Sequence, residues 1–321
     1  MQTLPLGRSG LTTSAVVFGG NVLGWTADEA MSFRLLDRMY EAGLRTIDTA
    51  DVYSRWVDGH QGGESETVIG KWFAANPSKR DGVTLITKVG SDMGQGHKDL
   101  SAGWIAKAAE DSLARLQTEV IDLYLSHWPD ERTSDEETLG AFESLLKAGK
   151  IRAIGTSNRD LSQMKRAAQA AQEAGLPRYE VLQNEYNLHE RAGFEGELAD
   201  WCQANEVGVI TYFSLASGFL TGKYRDPQAV SGSRAGMVKR YMDDRGMAIL
   251  SAMDGVAEET GASHAEIALA WLRQKPGVSA PIASATSEAQ LESLIRAADL
   301  VLPDEAMARL DAASAGQTAE G

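Results

Sequence analysis

Short apolar runs alternate along the chain with longer segments whose apolar residues recur with helical spacing. Each run is bounded by polar residues or glycine, as expected for a strand that is covered on both faces. The runs occupy residues 14–19, 45–49, 83–88, 121–126, 152–157, 181–186, 207–212 and 278–283. The pattern therefore predicts eight short β-strands.

The longer segments are predicted to be amphipathic helices. The segment that ends at Gly43, a residue suited to terminate a helix, has apolar side chains on one face, at Met31, Leu35, Leu36 and Met39. Ser65 and Ser101 precede similar segments and are predicted N-caps. Two further helices are predicted at 243–260 and 264–273, within the long gap before the last strand.

Eight successive strand–helix units favour a (β/α)8 TIM barrel, which is an α/β fold. A doubly wound open sheet is the alternative, but it usually carries a GxGxxG phosphate loop, and FGGNVLG at 18–24 lacks that form. We predict one domain over residues 1–321, with a short N-terminal hairpin at 1–13 that closes the bottom of the barrel. A long loop insertion should follow the seventh strand, and residues 312–321 should form a frayed tail.

Composition and charge narrow the possible partners. The 321 residues are 43% hydrophobic, enough for a large core, and carry a net charge of −14. This acidity disfavours nucleic acid and anionic membranes, because both require a basic protein surface. No apolar run is long enough to span a membrane and the N-terminus does not resemble a signal peptide, so a cytoplasmic protein is expected. The single cysteine, Cys202, is predicted to pack as a small hydrophobic residue.

Polar side chains stand at the ends of several predicted strands, and the active site of a TIM barrel lies at the C-terminal ends of its strands. They are Asp48, Lys88, His127, Ser157, Asn158, Gln183, Asn184 and Tyr212, with Tyr53 on the loop after the second strand. Any one of them has an ordinary explanation, such as a turn, a helix cap or a solvated side chain. Stability does not require all of them at one mouth of the barrel, so the set predicts an active site.

Four of these residues complement one another chemically. The phenol of Tyr53 has an ordinary pKa of about 10 and is a poor proton donor at neutral pH. The ammonium of Lys88 would lower that pKa, and the carboxylate of Asp48 would keep the lysine charged. An imidazole at His127 can orient a carbonyl oxygen. The set predicts a group that protonates a developing oxyanion and needs no metal.

Seven motifs, in this order, resemble the aldo-keto reductase family over residues 1–310. They are DTADVYS (48–54), GGESETVIG (62–70), ITKVG (86–90), DLYLSHWPD (122–130), KAGKIRAIGTSN (147–158), LQNEYN (182–187) and FLTGKY (219–224). The resemblance implies a (β/α)8 barrel that reduces aldehydes and ketones with NADPH and has no Rossmann domain. It implies Tyr53 as the proton donor, Lys88 and Asp48 as its supporting pair, and His127 as the residue that orients the carbonyl.

The resemblance also implies a cofactor site for NADPH or NADP+, with NADH as an alternative. The implied contacts are Gly20, Asn21, Asp48, Ser157, Asn158, Gln183, Tyr212, Phe213, Ser214, Leu215, Gly218, Lys223, Arg234, Ser284, Thr286 and Gln290. The sequence departs from the family pattern at Ser214, where many relatives have proline, and in the adenosine-phosphate segment. There Ser284 replaces a glycine, Thr286 stands at a position that is often arginine or serine, and Ser293 and Leu294 stand where glutamate and asparagine are usual.

Three tryptophans on loops at the predicted mouth, Trp25, Trp56 and Trp128, are candidates for an apolar or sugar-stacking substrate pocket. The substrate is expected to be a small aldehyde, ketone or keto-sugar, and the chain a monomer or weak homo-oligomer. One alternative is a cofactor-binding regulatory protein with slow turnover, as in channel-associated members of the family. A second is an aldolase with a Schiff base at Lys88, which requires a neutral lysine that Asp48 and Tyr53 disfavour.

Overall fold

A short antiparallel hairpin precedes the barrel in the computed structural model, which describes residues 3–226 and 235–315. Its strands are β1 (Thr3–Pro5) and β2 (Thr12–Ser14). Leu6, which follows β1, is fully buried against the interior barrel residues Val17 and Ile86. The Thr84 hydroxyl donates to the carbonyl oxygen of Thr12 over 2.9 Å. The hairpin therefore closes the bottom of the barrel, as predicted.

Eight parallel strands form a closed barrel, which confirms the predicted fold and excludes the open sheet. They are β3 (Val17–Gly19), β4 (Thr46–Asp48), β5 (Thr84–Val89), β6 (Ile121–Ser126), β7 (Ile151–Ser157), β8 (Val181–Glu185), β9 (Gly208–Tyr212) and β10 (Ala280–Ala283). The sheet follows chain order and closes where β10 pairs with β3. The first barrel strand begins at Val17 rather than at residue 14, because Ser14 pairs with Thr3 in the hairpin.

Alternation along the barrel strands separates two apolar layers. On β6, Leu123 and Leu125 point into the barrel, where Val181 and Ile210 also pack. Tyr124, between the two leucines, packs instead in the layer between the strands and the surrounding helices. Parallel strands covered on both faces require apolar residues at almost every position, which explains the continuous apolar runs in the sequence.

Helices surround the barrel. The described ones are α1 (Glu29–Glu41), α2 (Glu64–Ala75), α3 (Ala102–Leu116), α4 (Asp135–Lys147), α5 (Leu161–Ala174), α6 (Glu197–Ala204), α7 (Ala235–Lys239), α8 (Asp244–Thr260), α9 (His264–Gln274), α10 (Glu288–Ala297) and α11 (Asp304–Ser314). Ser101 caps α3 as predicted, by accepting from the backbone N–H of Trp104. Ser65 is not an N-cap, because α2 already begins after Gly63, and its hydroxyl donates to the carbonyl oxygen of Gly20 over 2.8 Å.

In the described residues, the insertion after β9 contains a 3₁₀ helix (Ala216–Thr221), α7 and the long helix α8, which packs against α11. The helices predicted at 243–260 and 264–273 are confirmed as α8 and α9. The expected frayed tail is wrong as far as Ser314, which ends α11 and is fully buried. The guanidinium of Arg191 donates to the Ser314 hydroxyl over 2.6 Å, and this hydrogen bond holds the end of α11 in place.

Cys202 lies on α6 and is fully buried, as predicted. Across residues 3–226 and 235–315, no helix combines the length and the apolar character that crossing a membrane requires.

Candidate active site

Lys88 lies at the centre of a hydrogen-bonded group at the C-terminal mouth of the barrel. The side chain is fully buried. Its Nζ donates to Asp48 Oδ2 over 2.8 Å, to the carbonyl oxygen of Thr49 over 2.8 Å and to the hydroxyl of Tyr53 over 3.0 Å. An ammonium has three protons to donate, and these three acceptors account for all of them. The site thus holds Lys88 in its charged form, which disfavours the Schiff-base alternative.

The pKa of Lys88 agrees with this arrangement. Burial alone would lower it, but the charges of Asp48 and Tyr53 and the hydrogen bonds to them outweigh burial, so the net pKa is raised. The carboxylate that causes much of this effect is itself held in place. Gln183, on β8, donates from Nε2 to Asp48 Oδ1 over 2.8 Å, so each Asp48 oxygen has a fixed partner.

The net pKa of Tyr53 is raised, which corrects the expectation of a lowered one. Burial of the phenol is the largest cause, and Asp48 and Asp51 add to it. Lys88 lowers the pKa through its charge and its hydrogen bond, as expected, but this effect is smaller than the cost of burying a phenolate. Tyr53 is therefore a protonated phenol at neutral pH, which is the form that donates a proton.

His127 faces Tyr53 across the mouth, with their ring centroids 6.0 Å apart. Burial, followed by the positive charges of Lys88 and Lys98, holds the pKa of His127 well below its usual value. The ring is therefore neutral at neutral pH. Its Nδ1 lies 3.0 Å from the hydroxyl of Ser91, a contact that the sequence analysis missed. When Ser91 donates to Nδ1, the ring proton is on Nε2, the tautomer that can donate to a carbonyl oxygen.

The three predicted tryptophans all adjoin this group. Trp56 packs edge-on against Tyr53 and against Trp25, with centroid distances of 5.8 and 5.6 Å. Trp128 stacks on His127 with a centroid distance of 6.0 Å and an interplanar angle of 17°. Trp56 and Trp128 remain 50% and 37% exposed, so their faces are accessible to a ligand. The arrangement forms an aromatic wall around the phenol and the imidazole.

The side chains expected around the nicotinamide lie together on the adjacent wall of the mouth. Ser157 Oγ donates to the carbonyl oxygen of Gln183 over 2.6 Å, and Asn158 Nδ2 donates to the carbonyl oxygen of His127 over 2.8 Å. The Tyr212 hydroxyl donates to Asn158 Oδ1 over 2.6 Å. These contacts join the expected cofactor residues directly to the backbone of His127.

The segment after β9 has backbone geometry suited to an anion. Ala216, Ser217 and Gly218 have φ values of +49°, +56° and +98°, which turn successive backbone groups in unusual directions. The Ser217 hydroxyl is enclosed and has no hydrogen-bond partner among the described residues. Ser214 and Leu215 point elsewhere: the serine hydroxyl donates to the carbonyl oxygen of Thr211, and the leucine packs against the core. An enclosed polar atom in a left-handed loop fits a pyrophosphate, and the sequence analysis missed Ser217.

The expected adenosine end lies between β10 and α10. Ser284 Oγ donates to Asn21 Oδ1 over 2.6 Å, next to Gly20, where an added Cβ would lie 3.0 Å from the Asp48 carbonyl oxygen. Gln290 Oε1 accepts from both the backbone N–H and the hydroxyl of Thr286. The predicted residues thus occupy one surface, although their polar groups bond to each other.

Of the two basic residues in the expected cofactor set, one contacts an aromatic ring and the other lies outside the described residues. Lys223 Nζ lies 4.8 Å from the ring centroid of Tyr224. Arg234 lies outside the described residues. The nearby arginines of α1 already have partners, because Arg34 pairs with Glu288 and Arg38 with Glu292.

Comparison with known proteins agrees with this geometry. Residues 15–315 match the sequence model of the Aldo/keto reductase family. The chain belongs to this family. This aldo/keto reductase is 33% identical to the uncharacterized oxidoreductase YrpG of Bacillus subtilis (strain 168), with 97% of this chain and 95% of the relative covered. It is 30% identical to Protein tas of Escherichia coli (strain K12), with 97% of each chain covered.

A third similar protein is named as a subunit of an ion channel. The aldo/keto reductase is 30% identical to a probable voltage-gated potassium channel subunit beta of Arabidopsis thaliana, with 94% of this chain and 92% of the relative covered. Membership of the family therefore does not by itself separate an enzyme from a regulatory subunit.

Proposed function

We propose that this chain reduces an aldehyde or ketone to an alcohol with NADPH, reversibly, and that Tyr53 is the proton donor. The observation that carries the proposal is the buried Lys88 ammonium, which bonds both the Tyr53 hydroxyl and the Asp48 carboxylate. A protonated phenol, a neutral imidazole and an aromatic wall surround one point. That combination suits the protonation of a carbonyl oxygen.

The roles of the residues follow from their positions. When bound, the nicotinamide cofactor supplies a hydride to the carbonyl carbon. His127 donates a hydrogen bond from its neutral ring and orients the carbonyl oxygen. Tyr53 transfers its hydroxyl proton to that oxygen, and Lys88 stabilises the phenolate that remains. Trp56 and Trp128 exclude water from one side of the reacting group.

We propose NADP(H) rather than NAD(H) as the physiological cofactor. The support comes from the resemblance and from the N-terminus of α10, where Ser287 is the N-cap and where a helix favours a bound anion. The pairing of Arg34 and Arg38 with carboxylates argues for only a moderate preference. Titrations that follow tryptophan fluorescence would measure both affinities, and equal values for NADPH and NADH would contradict the preference.

The central test is NADPH oxidation with a panel of aldehydes, ketones and keto-sugars. Tyr53→Phe should reduce kcat by about 10²–10⁴-fold, the usual contribution of a general acid, and leave NADPH binding nearly unchanged. Tyr40→Phe is a matched control, because Tyr40 lies on α1 and packs against Trp72, away from the mouth. A Tyr53→Phe enzyme with wild-type kcat would refute the assignment.

The second candidate is a cofactor-binding regulatory protein, which the similarity to a probable channel subunit favours. The two candidates differ in turnover. An enzyme oxidises many equivalents of NADPH at a steady rate, whereas a sensor oxidises about one equivalent and then holds the product. The complete Asp48, Tyr53, Lys88 and His127 group supports steady turnover.

A further inference from the structure

A cavity of about 460 Å³ adjoins the candidate active site on the side of Trp128. Its lining includes Trp128, which stacks on His127, and Asn158, which bonds the backbone of His127, so the cavity borders the site. The lining also includes two cations, Lys98 and Arg132. Neither belongs to the four residues that carry the proposed chemistry.

Lys98 is exposed and has no salt bridge among residues 3–226 and 235–315. Its Nζ instead lies 4.6 Å from the ring centroid of Trp128, which in turn stacks on His127. An aromatic face under a cation fixes its position without neutralising its charge. The charge of Lys98 acts on His127, where it helps to lower the pKa, so it also acts at the reacting position.

The lining also includes two carboxylates, Asp130 and Glu131. Asp130 Oδ1 accepts from the backbone N–H of Arg132, and Oδ2 accepts from the N–H of Leu100 and the hydroxyl of Thr133. These hydrogen bonds fix the position of the Asp130 carboxylate, which keeps its negative charge. The guanidinium of Arg132 has no salt bridge in the described part of the chain. Two cations without ion-pair partners thus face one cavity.

Lys98 and Arg132 contrast in charge with most of the remaining surface. The net charge is −14, so anions are repelled from most of the surface. On the opposite side of the mouth, Arg240 is paired with Glu185 at 2.5 Å. On the Lys98 side, neither Lys98 nor Arg132 has a salt bridge among the described residues.

We propose that Lys98 and Arg132 form a subsite for an anionic group on the substrate, a carboxylate or a phosphate, and that preferred substrates carry such a group several bonds from the carbonyl. This rests on the proposed carbonyl reduction. With the carbonyl beside His127, the two steps of 6.0 and 4.6 Å through Trp128 place the anion beside Lys98. Trp128 would contact the apolar part of the substrate between the two groups.

The test compares each anionic substrate with its neutral analogue: para-carboxybenzaldehyde with its methyl ester, and glyceraldehyde phosphate with glyceraldehyde. We expect the wild type to favour one anionic substrate, through a lower KM. Lys98→Gln should reduce the ratio of kcat/KM values, anionic over neutral, by about tenfold, the scale of one partly exposed charged hydrogen bond. Arg132→Gln should act in the same direction. The ratio should also fall as salt increases.

Lys107→Gln is the matched control, since this exposed lysine on α3 pairs with Asp111 and lies outside the cavity lining. It should leave the ratio unchanged. The pair of substrates that shows the effect decides between a carboxylate and a phosphate. A ratio near one in the wild type, or an equal loss for anionic and neutral substrates in Lys98→Gln, would overturn the subsite.

Failure of the proposed reductase function would look different. It would appear as no NADPH oxidation with any substrate, neutral ones included. Titrations with benzoate and inorganic phosphate, measured by Trp128 fluorescence with Trp128→Phe as the blank, then test anion binding at the subsite independently of turnover. Binding that Lys98→Gln weakens about tenfold supports it, and binding that is absent or unchanged by Lys98→Gln overturns it.

Discussion

Replacement of Lys88 by methionine tests the charge relation at the centre of the site. The side chain is fully buried, and methionine occupies a similar volume without a charge. In the reverse reaction, alcohol oxidation, Tyr53 must accept a proton and therefore acts as phenolate. Burial already raises the pKa of this phenol, so wild-type oxidation should increase with pH throughout the neutral and mildly alkaline range.

The distance from Lys88 Nζ to the Tyr53 hydroxyl, 3.0 Å, sets the scale of the effect. Two unit charges at that distance attract by about 5 kcal/mol at an effective dielectric constant of about 20. Protonation of the uncompensated Asp48 in the variant would remove one repulsive charge and reduce the net change. We therefore expect the phenol pKa to rise by a further 1–3 units, about 1.4–4 kcal/mol.

The assay is kcat/KM for alcohol oxidation as a function of pH. At a fixed pH below the phenol pKa, the phenolate fraction falls tenfold per unit, so Lys88→Met should be about 10- to 1000-fold slower. Lys107→Met is the control for removing an exposed lysine, and thermal unfolding shows whether each variant is folded. An Asp48→Asn/Lys88→Met double variant removes both charges if the single variant is unstable. An unshifted profile with retained activity would show that Lys88 does not tune Tyr53.

Two further predictions concern residues behind the reacting groups. Ser91→Ala removes the partner of His127 Nδ1 and should lower kcat for reduction by about tenfold with little change in KM. Ser91→Thr should restore kcat. Equal kcat values for the wild type and both variants would refute a role for Ser91 in orienting His127. Asp51 is buried, neither carboxylate oxygen has a hydrogen-bond partner among the described residues, and burial followed by the charge of Glu66 raises its pKa well above the usual value. The neutral carboxyl of Asp51 therefore stabilises the fold fully only below the pKa of the unfolded chain, about 3.9. As pH rises from there towards the folded pKa, the free energy of unfolding falls by about 1.4 kcal/mol per pH unit. Asp51→Asn should flatten this decline in urea unfolding measured from pH 5 to 8, and parallel curves for the two proteins would contradict it.

The periodicity of apolar residues was sufficient to predict the eight barrel strands, and the rule for TIM barrels then indicated the mouth at which the candidate residues lie. A parallel strand that is covered on both faces must be apolar almost throughout, so the polar residues at its end stand out. Asp48, Lys88 and His127 lie where that rule placed them, at or just after the ends of β4, β5 and β6. The position of Tyr53 at the mouth could also be predicted, because it follows the end of β4 by only five residues.

Local sequence rules failed where long-range contacts compete with them. Ser65 has the residue type of an N-cap, yet its hydroxyl bonds to Gly20, 45 positions away. The small and polar residues at 312–321 suggested a frayed tail. However, Arg191, which is 123 positions away in the sequence, donates a hydrogen bond to Ser314 and holds the end of α11 in place. Neither partner is visible in a window of neighbouring residues.

The sequence by itself determined which polar groups lie at the mouth of the barrel, and the tertiary structure decided their proton affinities and partners. From residue types alone, Lys88 was expected to lower the pKa of Tyr53, because attraction between charges is the visible effect. Burial reverses the net direction, since a phenolate loses more hydration than one lysine restores. The contacts of Ser91 with His127 and of Lys98 with Trp128 likewise exist only after folding, because residues 30 or more positions apart become neighbours through the closure of the barrel.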